Sequence, residues 1–212
     1  MIALAAFILI SGCSSNSESP REKANEAVAK ANDSIAKHNK LFEQSRNTYN
    51  DVKTKLESGK DPSDQKKNIA EAKNTLEKAR SNLKDARKSL KSVQNMNVDK
   101  AIKKYTSLLS TAMDAQTSAE GKEIQFYSIL EKDPTLKDNR KKAEGLLSEI
   151  SKDYKKSRES YKKVLDFAKS NPNVITLPPN TTGGASTSVS TSGSSTISTP
   201  STTNSTTVGG TT

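Results

Sequence analysis

The sequence predicts an all-α protein: an elongated up-down-up-down four-helix bundle with coiled-coil-like packing, followed by a disordered Ser/Thr-rich tail. Three observations carry this expectation. Apolar residues recur at alternating spacings of three and four along four long stretches, separated by short segments rich in Gly, Pro, Asn and Asp. Only 31% of the 212 residues are hydrophobic and 4% aromatic, with no Trp, so any core must be thin and spread along helix seams. From Asn171 to Thr212 there is no charged residue, and Ser and Thr supply 21 of the last 33 positions, a composition that cannot bury a core.

Met1 to Ile10 is an apolar run of ten residues, too short to span a bilayer as a helix, which takes about 20. It fits the h-region of a secretory signal over residues 1–12. The run leads into Ile10-Ser11-Gly12-Cys13, which resembles the lipobox of prokaryotic lipoproteins. The resemblance covers the first 13 residues, and no basic n-region precedes the apolar run. It implies cleavage before Cys13 and a diacylglyceryl group on its thiol, carrying fatty acyl chains such as palmitate. The mature protein would then be lipid-anchored at the extracytoplasmic face of the cell membrane, with residues 13–18 as a short linker.

The bundle is expected over residues 19–170. Ser19-Pro20-Arg21-Glu22 forms a capping box with Pro at the first helical position. The seam behind it runs Val28, Ala31, Ile35, His38, Phe42, Ser45, Tyr49, Val52, Leu56, and Gly59 ends it. Asp61-Pro62 should restart a helix whose seam alternates large and small residues at heptad spacing: Ile69, Ala72, Leu76, Ala79, Leu83, Ala86, Leu90, Val93. Asn97 is the expected cap of the third helix, with Asp99 in its first turn. Its apolar set (Val98, Ile102, Tyr105, Leu109, Ala112, Ala119, Phe126 and Leu130, with Leu108, Met113, Ile124 and Ile129) is wide enough to touch more than one neighbour. Asp133-Pro134 should end that helix and open the fourth, with the seam Ala143, Leu147, Ile150, Tyr154, Ser157, Tyr161, Val164, Ala168. A three-helix spectrin-like bundle with one detached helix is the alternative. Lys-Asp-Pro at residues 60–62 and again at 132–134 fits a duplicated hairpin or chance equally.

Residues 171–212 form the expected tail. Asn180-Thr-Thr and Asn204-Ser-Thr match the N-glycosylation acceptor pattern, though such triplets arise readily in a chain rich in Asn, Ser and Thr. An unmodified solvated tail accounts for them equally well.

Catalysis finds little support. One Cys and one His leave no disulfide, no Cys-based metal site and no His-paired nucleophile. His38 lies on an apolar seam and reads as a packed structural histidine. Glu120 and Glu123 share a helix face and read as solvated. No catalytic residue, metal ligand or cofactor is therefore expected. The charge of +10 is uneven: +5 over residues 60–95 (ten basic, five acidic) and +5 over 134–170 (eleven and six), against +1 over 18–58 (eight and seven) and −1 over 97–133 (five and six). Lys66-Lys67, Arg87-Lys88, Lys141-Lys142, Lys155-Lys156 and Lys162-Lys163 are the visible clusters. Export argues against nucleic acid, which leaves lipid headgroups, anionic cell-wall polymer or another envelope protein as the expected partner, with a plain solvated helix surface as the alternative.

Overall fold

A computed structural model describes residues 19–175. It is all-helical among those residues, with no strand: α1 Pro20–Glu57, a 3₁₀ turn Pro62–Gln65, α2 Lys66–Val93, α3 Lys100–Lys132 and α4 Arg140–Lys169. The lipobox with Cys13, the segments 1–12 and 13–18, both acceptor triplets (Asn180 and Asn204) and the tail from residue 176 lie outside the described residues. No helix among the described residues is long and apolar enough to cross a membrane.

Local chemistry sets most of the boundaries. The Ser19 hydroxyl accepts from the Glu22 N–H at 3.2 Å, and the Glu22 carboxylate accepts from the Ser19 N–H at 2.6 Å, completing the capping box. Gly59, at φ +80°, takes the left-handed turn that ends α1. Asp61 accepts from the Ser63 N–H at 2.8 Å, but the first turn after it is 3₁₀, so α2 begins only at Lys66. The expected cap of α3 shifts from Asn97 to Asp99, whose carboxylate accepts from the Ala101 N–H at 2.6 Å.

The largest boundary correction concerns α4, which starts at Arg140 instead of next to Pro134. The Asp133 carboxylate accepts from the N–H groups of Lys137 and Asp138, from the Thr135 hydroxyl and from the Asn139 amide. These bonds hold the intervening residues as a loop, with Leu136 at φ +55°. The Asn139 amide, then the backbone N–H groups of Asp138 and Lys137 and the Thr135 hydroxyl, keep the Asp133 carboxyl below its ordinary pKa.

α2 packs on α1 and α3, and α3 packs on α4. All eight seam residues of α2 are fully buried. Its small residues permit close approach, as the Ser45 hydroxyl of α1 donates to the Ala72 carbonyl at 2.7 Å. α3 buries residues toward α2 and α4 and also meets side chains of α1, as its wide apolar face requires. Two apolar clusters result. One joins Ala24–Ile35 of α1, Leu83–Val93 of α2, Ile102–Met113 of α3 and Tyr161–Ala168 of α4. The other joins Val52 of α1, Ile69–Ala79 of α2, Phe126–Leu130 of α3 and Ala143–Ile150 of α4. Leu147, expected in the α4 seam, is instead 36% exposed. Ile175 is buried in the first cluster, so the packed body extends past the boundary expected at residue 170.

Candidate functional site

Between the two apolar clusters lies a layer of buried polar side chains. Here the expectation of a solvated Glu120–Glu123 face fails, because Glu120 is fully buried and Glu123 nearly so. The α3 face carrying them points inward, toward α1 and α4. His38 is buried as expected, but in a polar setting. Its Nε2 lies 2.7 Å from Glu120 Oε1 and its Nδ1 3.0 Å from Asn39 Oδ1. With the Asn39 amide in this orientation the ring bridges two oxygens, and the Gln116 amide nitrogen lies 3.2 Å from its Nε2. The Gln116 amide donates to the same Glu120 oxygen at 3.0 Å, and Glu120 Oε2 is buried without a partner. Phe42 stacks on the imidazole at 5.5 Å.

One turn further along α3, Glu123 gathers donors from three elements. Tyr127 donates to Oε1 and Tyr154 of α4 to Oε2, both at 2.6 Å, and Arg46 Nη2 of α1 donates to Oε2 at 3.0 Å. The Arg46 guanidinium lies 5.1 Å from the ring centres of both Phe42 and Tyr154, a cation–π wedge joining α1 and α4. Burial is the largest single influence and works against its charge, but the Glu123 carboxylate together with the Tyr154 and Tyr127 side chains outweighs it and leaves the pKa above the ordinary value. Burial, reinforced by the negative charge of Glu123, pushes the Tyr127 and Tyr154 phenols well up and Tyr49 up to about 12. The phenols therefore stay protonated and serve as donors. From α2, Arg80 Nε donates to the Thr117 carbonyl at 2.9 Å. Its guanidinium rests against Gly121, where a Cβ would fall 2.9 Å from Nη2, and this contact accounts for a glycine inside a long helix.

The charged groups of this layer are paired across helices, His38 with Glu120 and Arg46 with Glu123. Among the described residues no group of three or more His, Cys, Asp or Glu is placed to hold a metal ion. The layer binds the helices to one another and fixes their axial register, since sliding one helix by a turn would strand several buried polar groups.

The functional candidates are therefore on the surface. All ten singled-out basic residues are exposed: Lys66, Lys67, Arg87 and Lys88 on α2, and Lys141, Lys142, Lys155, Lys156, Lys162 and Lys163 on α4. Among them Arg87 is paired, with Asp114 at 2.6 Å. α2 and α4 do not pack on one another, so the structure does not gather the ten into one patch. Sequence reasoning did not find an open groove of about 530 Å³ between α1 and α2, lined by Lys23, Lys30, Lys88, Ser89, Ser92 and Met96. Glu26 also lines it and pairs with Lys30 at 2.8 Å. The hydroxyls of Ser89 and Ser92 donate to backbone carbonyls, so the lysines are the donors an anionic guest would meet. Compared with known protein families, characterised proteins and solved structures, the chain shows no match.

Proposed function

We propose that the chain is a non-enzymatic, lipid-anchored surface protein of a prokaryotic cell envelope. Its helical body serves as a structural or binding module that contacts anionic envelope polymers through basic helix faces. The observation that carries this reading is the exposure of ten basic side chains on two helices that do not pack together. Positive charge on separate sides of a rod suits a surrounding polyanionic meshwork better than a single flat partner. The anchor is Cys13, in its lipobox context. The helices are read as alternating in direction with coiled-coil-like seams. Supporting this, the first half of α1 shares a cluster with the end of α2, the start of α3 and the end of α4.

The test is co-sedimentation of the chain from Ser14 to Thr212 with purified envelope across a salt series. Screening of exposed charge predicts release as salt rises. Absent or salt-insensitive binding rejects the polymer reading. Detergent-phase partitioning of Cys13→Ala against the parent tests the anchor, because loss of the acyl chains moves the variant into the aqueous phase. A second reading, a scaffold or accessory subunit packing by a helix face against a membrane protein, takes its support from the exposed Leu147. It predicts salt-insensitive, concentration-dependent association.

A further inference from the structure

The polar layer divides the body into halves whose charges differ in a way that the helix-by-helix count conceals. Arg80 reaches the Thr117 carbonyl, Gln116 lies 3.2 Å from His38, and the Ser118 hydroxyl donates to Asp153 at 2.7 Å. These contacts set His38, Arg80, Thr117 and Tyr154 at about one level. The half containing the start of α1 comprises residues 19–38, 80–117 and 154–175, with 18 Lys and Arg against 8 Asp and Glu. The other half, residues 39–79 and 118–153, has 16 against 15. The net charge of the described body therefore lies almost wholly in the half that follows directly from Cys13. The α1–α2 groove with Lys23, Lys30 and Lys88 lies in that same half.

We infer that this half is a docking surface for anionic phospholipid headgroups, with the α1–α2 groove receiving headgroup phosphates. This rests on the reading that an anchor at Cys13 precedes Ser19, because only a few residues then separate the membrane from the start of α1. Charge complementarity selects the occupant. A neutral half would gain nothing from approaching an anionic leaflet, whereas basic residues at its surface gain about fivefold in partitioning each, within a Debye length. The far half begins roughly 30 Å along the 38-residue α1 and ends roughly 50 Å away, several Debye lengths out, and is screened from that field. The surface holds the body against the bilayer at one end and leaves the other end to reach outward.

The experiment uses the chain from Ser14 to Thr212 without its lipid, sedimented with vesicles of phosphatidylcholine alone or mixed with phosphatidylglycerol. Binding only to the mixed vesicles is expected. The variant Lys23→Gln/Lys30→Gln/Lys88→Gln should lower partitioning roughly 100-fold. The variant Lys66→Gln/Lys67→Gln/Lys141→Gln removes the same charge from the far half and should change it by less than about threefold. All six positions are exposed, and equal circular dichroism spectra will show that both variants fold. Equal losses in the two variants overturn the inference, because net charge alone would then explain binding. Failure to bind mixed vesicles also overturns it, while salt-released binding to purified envelope would leave the polymer reading standing. Selective loss in the first variant supports the docking surface even if Cys13 proves unlipidated.

Discussion

Glu123 is the residue whose replacement most sharply tests the buried layer. Its carboxylate accepts from Tyr127, Tyr154 and Arg46 while almost entirely buried. Glu123→Leu keeps the approximate volume and removes all three acceptor contacts. Arg46 is 38% exposed and can turn to water, but the two phenols are left to find new partners in the interior. A buried polar group left without a partner costs about 1–3 kcal/mol, so the two together predict a loss of about 4 kcal/mol. Glu123→Gln retains one acceptor oxygen, and its amide can donate to a phenol oxygen, which limits the loss to about 2 kcal/mol. The decisive comparison is Tyr127→Phe. In the parent it removes a hydrogen bond to a charged group and should cost about 2 kcal/mol. In the Glu123→Leu background the same change deletes a stranded hydroxyl and should be neutral or stabilising. Urea unfolding followed by circular dichroism at 222 nm gives all four free energies, and their cycle gives the coupling. A Tyr127→Phe penalty of equal size in both backgrounds would refute the reasoning, because it would mean the two side chains do not interact.

Three further outcomes follow from the same structure. Tyr49, held up to about 12 first by burial and then by the Glu123 charge, ionises more readily when unfolded, near pH 10. Its contribution is thus intact below pH 10 and disappears as pH rises toward 12. Phenolate absorbance at 295 nm should appear together with loss of helix, and a titration centred near pH 10 with helix retained would contradict this. Leu83→Ala, in the fully buried α2 seam, should cost about 2–5 kcal/mol, whereas Leu147→Ala should cost less than about 1 kcal/mol in the same urea assay. Gly121→Ala gains about 1 kcal/mol of helix propensity but displaces the Arg80 guanidinium from the Thr117 carbonyl, so the two effects should roughly cancel. In an Arg80→Ala background the same substitution should stabilise by about 1 kcal/mol.

Helix number, the capping box and the α2 seam were legible because each is a local pattern. Ser19, Pro20 and Glu22 lie within four residues, and the α2 seam is an uninterrupted heptad. The start of α4 was not legible, because Asp133 competes for the following backbone through several bonds at once, and a Pro at a plausible first position looks the same in either case. The groove was not legible either, since Lys23 and Lys88 lie far apart in sequence and meet only through the packing of α1 on α2.

The buried layer left a trace that a reading confined to apolar residues passes over. The expected α3 seam steps from Leu109 to Ala112 and then jumps seven residues to Ala119 and seven more to Phe126. Gln116 and Glu123 occupy the skipped positions. A heptad seam with vacancies filled by Gln and Glu can be solvated only if its helix turns away from the core there, and Leu109, Phe126 and Leu130 on the same stripe forbid that. Buried Glu side chains then require partners at the same depth on other helices. The α1 seam supplies His38 and Ser45 where an apolar stripe would have apolar residues, with Arg46 next to them. The α1 and α3 departures from apolarity thus fall at one level once the chain is folded, and each is costly alone. Their pairing favours a single axial register among helices whose Ala-rich seams would otherwise tolerate several. That fixed register in turn keeps the basic half of the body at the end where α1 begins.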